Sequence, residues 1–357
     1  MSNEEENQSP TVFDVISKSL HRSLPDSLSQ DVEGHLDTVY GCAVAHALRD
    51  LEHISGKGCF GEEDRTASLI GHLGSHLGWY LAMWDLSGNK AEQPSVSWSY
   101  QSKKAEAGLG GDFGLAVRLQ DNQYNIAFFQ AKNADLSPNG SVQIGRKPYG
   151  YNKATKKISQ EQAQKNALAA DRELKEAIHG GVLSATNGTG QHQFTKLALL
   201  ADRAKKMTGF ESDWIHYVLW PENESTMPIF CNLPTMKVHL QNYLKALGTE
   251  ETMPLKLPSA VFDDTCTFAS LLMRGNHSQS QGWLSVNKEE AKNLIGNLTE
   301  LCNSWMIVED RESSGGLAHA LTSLGVEFFE QHPPLHEVPP LQIQTTPAQS
   351  AKANLGI

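Results

Sequence analysis

Residues 111–132 read GDFGLAVRLQDNQYNIAFFQAK. Gly111 to Leu119 has the composition of a strand, Asp121-Asn122-Gln123 that of a turn. Asn125 to Lys132 is a second strand, apolar enough to sit centrally in a sheet. Strand side chains alternate between faces, so Gln130 and Lys132 point the same way. Asp112 lies ten residues before Asn122 and Lys132 ten residues after it. A hairpin closing on Asn122 without a bulge therefore predicts Asp112 opposite Lys132 and Gln130 opposite Gly114, which has no side chain to crowd a ligand.

That patch holds a carboxylate, an amide oxygen and an ammonium. Phosphodiester hydrolysis needs a nucleophilic water, a Lewis acid and stabilisation of developing negative charge. Mg²⁺ (or Mn²⁺) takes hard oxygen ligands and keeps several waters. Asp112, the side-chain oxygen of Gln130 and the main-chain carbonyl of Ala131 can supply such oxygens. Lys132 can orient the attacking water or offset phosphate charge. An acid from the preceding helix can complete the set. That helix is predicted from about Gly61 to Trp84, with the stripe Ile70, Leu73, Leu77, Leu81 and Trp84 and an acidic start at Glu62, Glu63 and Asp64. Glu63 lies seven residues before Ile70 and shares its side, so it is the expected member, with Glu62 next.

A helix Glu, then Gly110-Gly111-Asp112, then Gln130-Ala131-Lys132 resembles the PD-(D/E)xK nuclease superfamily over residues 62–135, and loosely to about 220. The resemblance implies a restriction-endonuclease-like α/β (α+β) core in the order α-β-β-β-α-β. It also implies a divalent metal held by Glu63, Asp112, Gln130 and the Ala131 carbonyl, and catalysis by Glu63, Asp112, Gln130 and Lys132. The expected substrate is nucleic acid, with DNA favoured. By analogy with the family, a bacterial or phage-related defence or restriction role follows, with a homodimer or a partner protein left open. The chain departs from the pattern at Gly111, where the family has Pro, and at Gln130, where it has Asp or Glu. The second change removes one negative charge. A nuclease fold kept for binding or assembly, without catalysis, is the competing expectation.

Outward from this centre, residues 11–56 carry helical spacing (Val12, Phe13, Ile16, Leu20; Tyr40, Val44, Leu48, Leu51), and residues 1–10 are polar and acidic. Ser95 to Tyr100 alternates as a strand. A basic loop holds Arg146, Lys147, Lys153, Lys156 and Lys157 with Tyr149 and Tyr151 among them. Arg146, Lys147, Tyr149, Lys153, Lys156 and Lys157 are the expected nucleic-acid contacts, by phosphate pairing and base stacking. A helix follows over about 159–178, with Gln160, Gln162 and Gln164 as candidates to face the site. Trp214 to Trp220 and Pro228 to Leu233 read as strands that finish a core over 57–235. Residues 236–330 read as mostly helical, and 331–357 as a proline-rich disordered tail.

Composition bounds the alternatives. The formal charge is −11, yet residues 101–210 hold 16 Lys/Arg against 9 Asp/Glu and the remainder 14 against 32. The basic excess thus lies around the proposed site. No apolar run is long enough to span a bilayer, and the acidic start lacks a secretory pattern, so a cytoplasmic protein is expected. Five scattered cysteines make no CxxC pair. The glycines at 108–114 fail GxGxxG because Phe113 stands at the third glycine. There is no P-loop, HExxH or GxSxG. His72 and His76 have the i, i+4 spacing of zinc ligands, but no acid sits between them in the expected place and the surrounding leucines favour a core or solvent role.

Overall fold

The long strand β3 (Gln123–Ala134) is the axis of a computed structural model that describes residues 10–55, 61–88, 94–100, 112–119, 122–144, 160–180, 192–222, 227–247, 256–262, 266–298, 304–310, 316–326 and 328–331. Every residue of β3 from Tyr124 to Lys132 is buried, as its apolar run requires of a central strand. On one side it pairs antiparallel with β2 (Phe113–Arg118) and, through Ala134, with β4 (Ser141–Gln143). On the other it pairs antiparallel with β8 (Leu284–Asn287) and parallel with β5 (Ile215–Pro221). Ten strands among the described residues form this one mixed sheet.

Helices cover both faces. The first face carries α1 (Val12–Ser23), α2 (Asp26–Val32), α3 (Val39–Ser55), α4 (Glu62–Leu86) and the short α8 (Phe268–Met273) over Phe113, Leu115, Val117, Ala127 and Phe129. The second carries α5 (Gln160–His179), α6 (Gln193–Thr208), α7 (Leu233–Leu247), α9 (Lys288–Leu298) and α10 (Leu317–Thr322) over Ala116, Tyr124, Ile126 and Phe128. The odd and even residues of β3 thus divide between two cores, as period-two alternation dictates. The mixed α/β architecture is as expected. None of the described helices is long and apolar enough to cross a membrane.

Two expectations are corrected. The hairpin register is shifted by two residues: Phe113 pairs with Phe129 and Gly114 with Phe128. Leu119 N–H donates to Gln123 O at 2.8 Å, so three residues, 120–122, form the connection, and its last member, Asn122, has φ of 58°. A three-residue hairpin ending in a left-handed residue centres one position earlier than a turn on Asn122. Second, 236–330 is not a helical addition outside the core. It supplies β7 (Lys256–Pro258), β8, β9 (Ser304–Asp310) and β10 (Phe329–Gln331). β9 lies between β1 (Pro94–Tyr100) and β2, antiparallel to the first and parallel to the second. Gly114 sits beside Trp305 there, and a Cβ on Gly114 would collide with the indole. The space at Gly114 is therefore filled by Trp305 and does not lie over Gln130.

Candidate active site

β2 begins at Phe113, opposite Phe129, and β4 pairs with β3 only at Ala134. Between them, no strand among the described residues pairs with this edge of β3. Main-chain groups of a strand alternate in direction: Phe129 O accepts Asp112 N–H at 2.9 Å on the β2 side, while Phe128 N–H donates to Trp214 O at 2.9 Å on the β5 side. The N–H groups of Ala131 and Asn133 therefore point into the gap. Two carboxylates meet them. Asp112 Oδ2 accepts from Ala131 N at 2.6 Å, and Glu62 Oε2 accepts from Asn133 N at 3.0 Å. Buried N–H groups need partners, and here acidic side chains stand where a strand would otherwise stand.

The remaining groups converge on the same place. Gln130, fully buried, donates through Nε2 to Asp112 Oδ2 at 2.5 Å and to Ala131 O at 3.1 Å. Lys132 is 3 % exposed, and its Nζ lies 3.4 Å from Glu62 Oε1. The two-residue register shift preserves parity, so Asp112, Gln130 and Lys132 share a face although Asp112 adjoins Gln130 and not Lys132.

Glu62, and not Glu63, is the helix acid in this set. The buried stripe of α4 runs through Leu69, Leu73, Leu77 and Tyr80, and Glu62 lies seven residues before Leu69. Glu63 is exposed and one position round the helix. The helix starts at its expected place: Asp64 Oδ2 accepts Gly61 N–H at 3.3 Å, and three acids occupy the first turn. Arg65, buried on the same turn, donates to the Pro221 carbonyl at the end of β5 and ties α4 to the sheet.

Two further residues carried no local signal in the sequence. Gln193, the first residue of α6, donates from Nε2 to Gln130 Oε1. The side chains of Gln160, Gln162 and Gln164, the candidates from the sequence, lie outside the described residues. Tyr217 stands beside Gln130 in the parallel β3–β5 register, fully buried, and its hydroxyl has no hydrogen-bond partner among the described residues. Burial first, then Cys231 and Asp112, push the phenol above its ordinary value, so it remains a protonated donor.

A cavity of about 530 Å³ opens beside this cluster, lined by Glu62, Glu63, Asp64, Lys132, Asn133 and Glu222 among others. Asp112 and Gln130 do not line it. The cavity marks the side from which Lys132 and Glu62 are approached. Gly110, Gly111 and the basic positions Arg146, Lys147, Tyr149, Lys153, Lys156 and Lys157 lie outside the described residues.

No family model, no curated protein and no solved structure matches this chain.

The fit of the residues to a hard divalent cation rests on the donor set. Gln130 Nε2 lies 2.5 Å from Asp112 Oδ2 and 3.1 Å from the Ala131 carbonyl oxygen, so both oxygens face the same amide terminus. Amide O and N exchange by a half-turn of the side chain. With Nε2 inward, Gln130 donates N–H groups to both oxygens. With Oε1 inward, it would offer a hard cation a third oxygen. Gln193 follows by the same half-turn, since an amide can donate or accept. The residues fit Mg²⁺ or Mn²⁺ through three oxygens, one of them charged.

Proposed function

We propose that this chain is a metal-dependent nuclease with a restriction-endonuclease-like core, acting on DNA. The observation that carries the reading is the convergence of Asp112, Gln130, Lys132 and Glu62 where β3, paired on its other edge with β5, has no strand among the described residues between β2 and β4. Such a gap gives a scissile phosphate access to main-chain and side-chain groups of a rigid central strand, a better platform than a loop.

Asp112, Gln130 and the Ala131 carbonyl would hold the Mg²⁺ or Mn²⁺. When bound, the ion supplies Lewis acidity and a more acidic water. Lys132 carries a positive charge in a nearly buried position, where it is worth more against a phosphate than a solvated lysine would be. Glu62 sets the position of that ammonium through their ion pair, and accepting Asn133 N–H fixes its own carboxylate. Gln193 sets the rotamer of Gln130 from the far side. Asp112 is anchored by Ala131 N–H.

One observation favours a second reading, a nuclease fold kept for nucleic-acid binding or assembly. Gln130 already bridges Asp112 and Ala131 O, and Lys132 is already paired with Glu62, so the cluster is self-satisfied. Cleavage assays on plasmid, linear duplex, single-stranded DNA and RNA with Mg²⁺ or Mn²⁺ separate the two. The nuclease reading predicts metal-dependent cutting that Asp112→Ala and Lys132→Ala abolish. Salt-sensitive binding with no cutting by the wild type selects the second reading. Cutting that survives both substitutions overturns the proposed site.

A further inference from the structure

We infer that α3 and α4 carry a second metal site, for a divalent transition ion of the zinc class, built from His46, Asp50 and His76 with His72 beside them. α3 contributes His46 and Asp50 and α4 contributes His72 and His76, each pair at i, i+4 and so on one face of its helix. The two helices pack together, and the four side chains meet in their seam. Ligating atoms of His46, Asp50 and His76 all lie within 4.8 Å of one another. His76 Nε2 lies 2.9 Å from Asp50 Oδ2, His46 Nε2 lies 3.8 Å from Asp50 Oδ1, and His72 Nδ1 lies 3.8 Å from Asp50 Oδ2. A tetrahedral zinc with arms of about 2.0 Å has ligand–ligand edges of about 3.3 Å, so these spacings bracket the required one.

The surroundings orient the ligands. Tyr80, itself buried, bonds His46 Nδ1 through its hydroxyl at 3.1 Å and leaves Nε2 to face Asp50. That is the usual support of a metal-bound imidazole, whose other nitrogen is held by a protein group. The His46 and His76 rings stack with centroids 3.8 Å apart and planes 8° from parallel, so ligation of one ion by both requires one ring to turn about its Cβ–Cγ bond. The four side chains are 15–29 % exposed, so an ion can reach them from solvent. Imidazole nitrogens with one carboxylate suit zinc, cobalt or nickel and not magnesium, which distinguishes this site from the one at Asp112. Arg49 now occupies part of the position: its guanidinium contacts His46 Nε2 and lies 2.9 Å from Asp50 Oδ1. An incoming cation would displace it; its long side chain is half-buried and also donates to Ser23 Oγ at 2.9 Å, which gives it a place to turn to. The bound ion would staple α3 to the helix that delivers Glu62.

The test uses the full chain, stripped of metal by a chelator that is then removed. Titration with Zn²⁺ against a chromophoric chelator should show about one tight equivalent per chain, and Co²⁺ should give the intense visible bands of a four- or five-coordinate ion with nitrogen ligands. His76→Asn and His46→Asn should each weaken Zn²⁺ at least about tenfold. Arg49→Gln should leave it as tight or tighter, and Asp112→Asn should leave it unchanged. Zn²⁺ should raise the melting temperature of wild type and not of the His variants. The inference fails if wild type binds no stoichiometric Zn²⁺. It also fails if binding survives the His46→Asn, His76→Asn pair, or is lost with Asp112→Asn. Should the His variants not fold, the Co²⁺ spectrum of the wild type decides, and a purely octahedral, oxygen-ligated spectrum overturns it.

Discussion

Glu62 Oε2 accepts the main-chain N–H of Asn133 at 3.0 Å, while its other oxygen pairs with Lys132. One side chain from a helix N-terminus thus satisfies a strand edge and holds the site's cation. Glu62→Ala would strand both a half-buried N–H and a nearly buried ammonium, at a cost of about 2–4 kcal/mol. Glu62→Gln keeps the acceptor for Asn133 and loses the charge, so its cost should be smaller. Glu63→Ala, at an exposed position, should change stability by no more than about 0.5 kcal/mol. Urea unfolding of the three variants checks the order, and equal losses at 62 and 63 would contradict the assignment.

Gly114 and Trp305 are register partners in the parallel β2–β9 pair, and a methyl on Gly114 would enter the indole. Gly114→Ala should therefore cost ~1–3 kcal/mol by overpacking. In a Trp305→Leu background the same change should cost close to nothing, because the occupied volume is then vacant. A double-mutant cycle measures the coupling. Additive losses would show that Trp305 is not the obstacle.

His216 is fully buried on β5, donates through Nε2 to Gly282 O at 2.7 Å, and stacks on Phe129. The bond lies at 2.7 Å from a carbonyl, so Nε2 carries the proton. Burial lowers its pKa to about 4, against an ordinary 6.5. The unfolded chain takes up a proton first as pH falls. The contribution to stability is full above about 6.5 and is lost as pH falls from there towards 4. His216→Phe, which keeps a ring between Phe129 and Phe230, should flatten the stability–pH curve in that window. Denaturant midpoints at pH 7 and pH 5 measure it, and an unchanged slope in the variant would assign the acid sensitivity elsewhere.

The shared face of Asp112, Gln130 and Lys132 was legible in the sequence because a register error of two residues leaves every side chain on its own face. The error itself came from the connection: nothing in Asp121-Asn122-Gln123 announces that Leu119 and Gln123 close around three residues. Glu63 follows from the sequence only if Ile70 belongs to the core stripe, whereas Leu69 is the buried residue and places Glu62 on that side. Partners brought from far along the chain had no local signature. β9 enters between β1 and β2 from position 304 onward, Gln193 reaches Gln130 from the start of α6, and His46 and Asp50 meet His76 only once α3 packs on α4. His72 and His76 were visible as a pair, but their acid comes from another helix.

Gln130 offers the sharpest test of the nuclease reading. Its Nε2 lies 2.5 Å from Asp112 Oδ2, so Gln130→Glu places a carboxylate oxygen against a carboxylate oxygen in a buried setting. Without a divalent ion the variant should lose stability, by about 1–3 kcal/mol, through like-charge repulsion and the lost donor. Gln193 Nε2 still has an oxygen to meet, so the far side of the residue is undisturbed. With Mg²⁺ or Mn²⁺ the sign reverses. Two carboxylates and the Ala131 carbonyl form a better set of hard ligands than one carboxylate and two neutral oxygens. The ion should therefore raise the melting temperature of Gln130→Glu more than that of wild type, and saturate at a lower concentration. Cleavage, where present, should need less metal. Thermal unfolding across a Mg²⁺ titration reads the effect directly. A variant that is destabilised equally with and without the ion would show that no cation sits between residues 112 and 130.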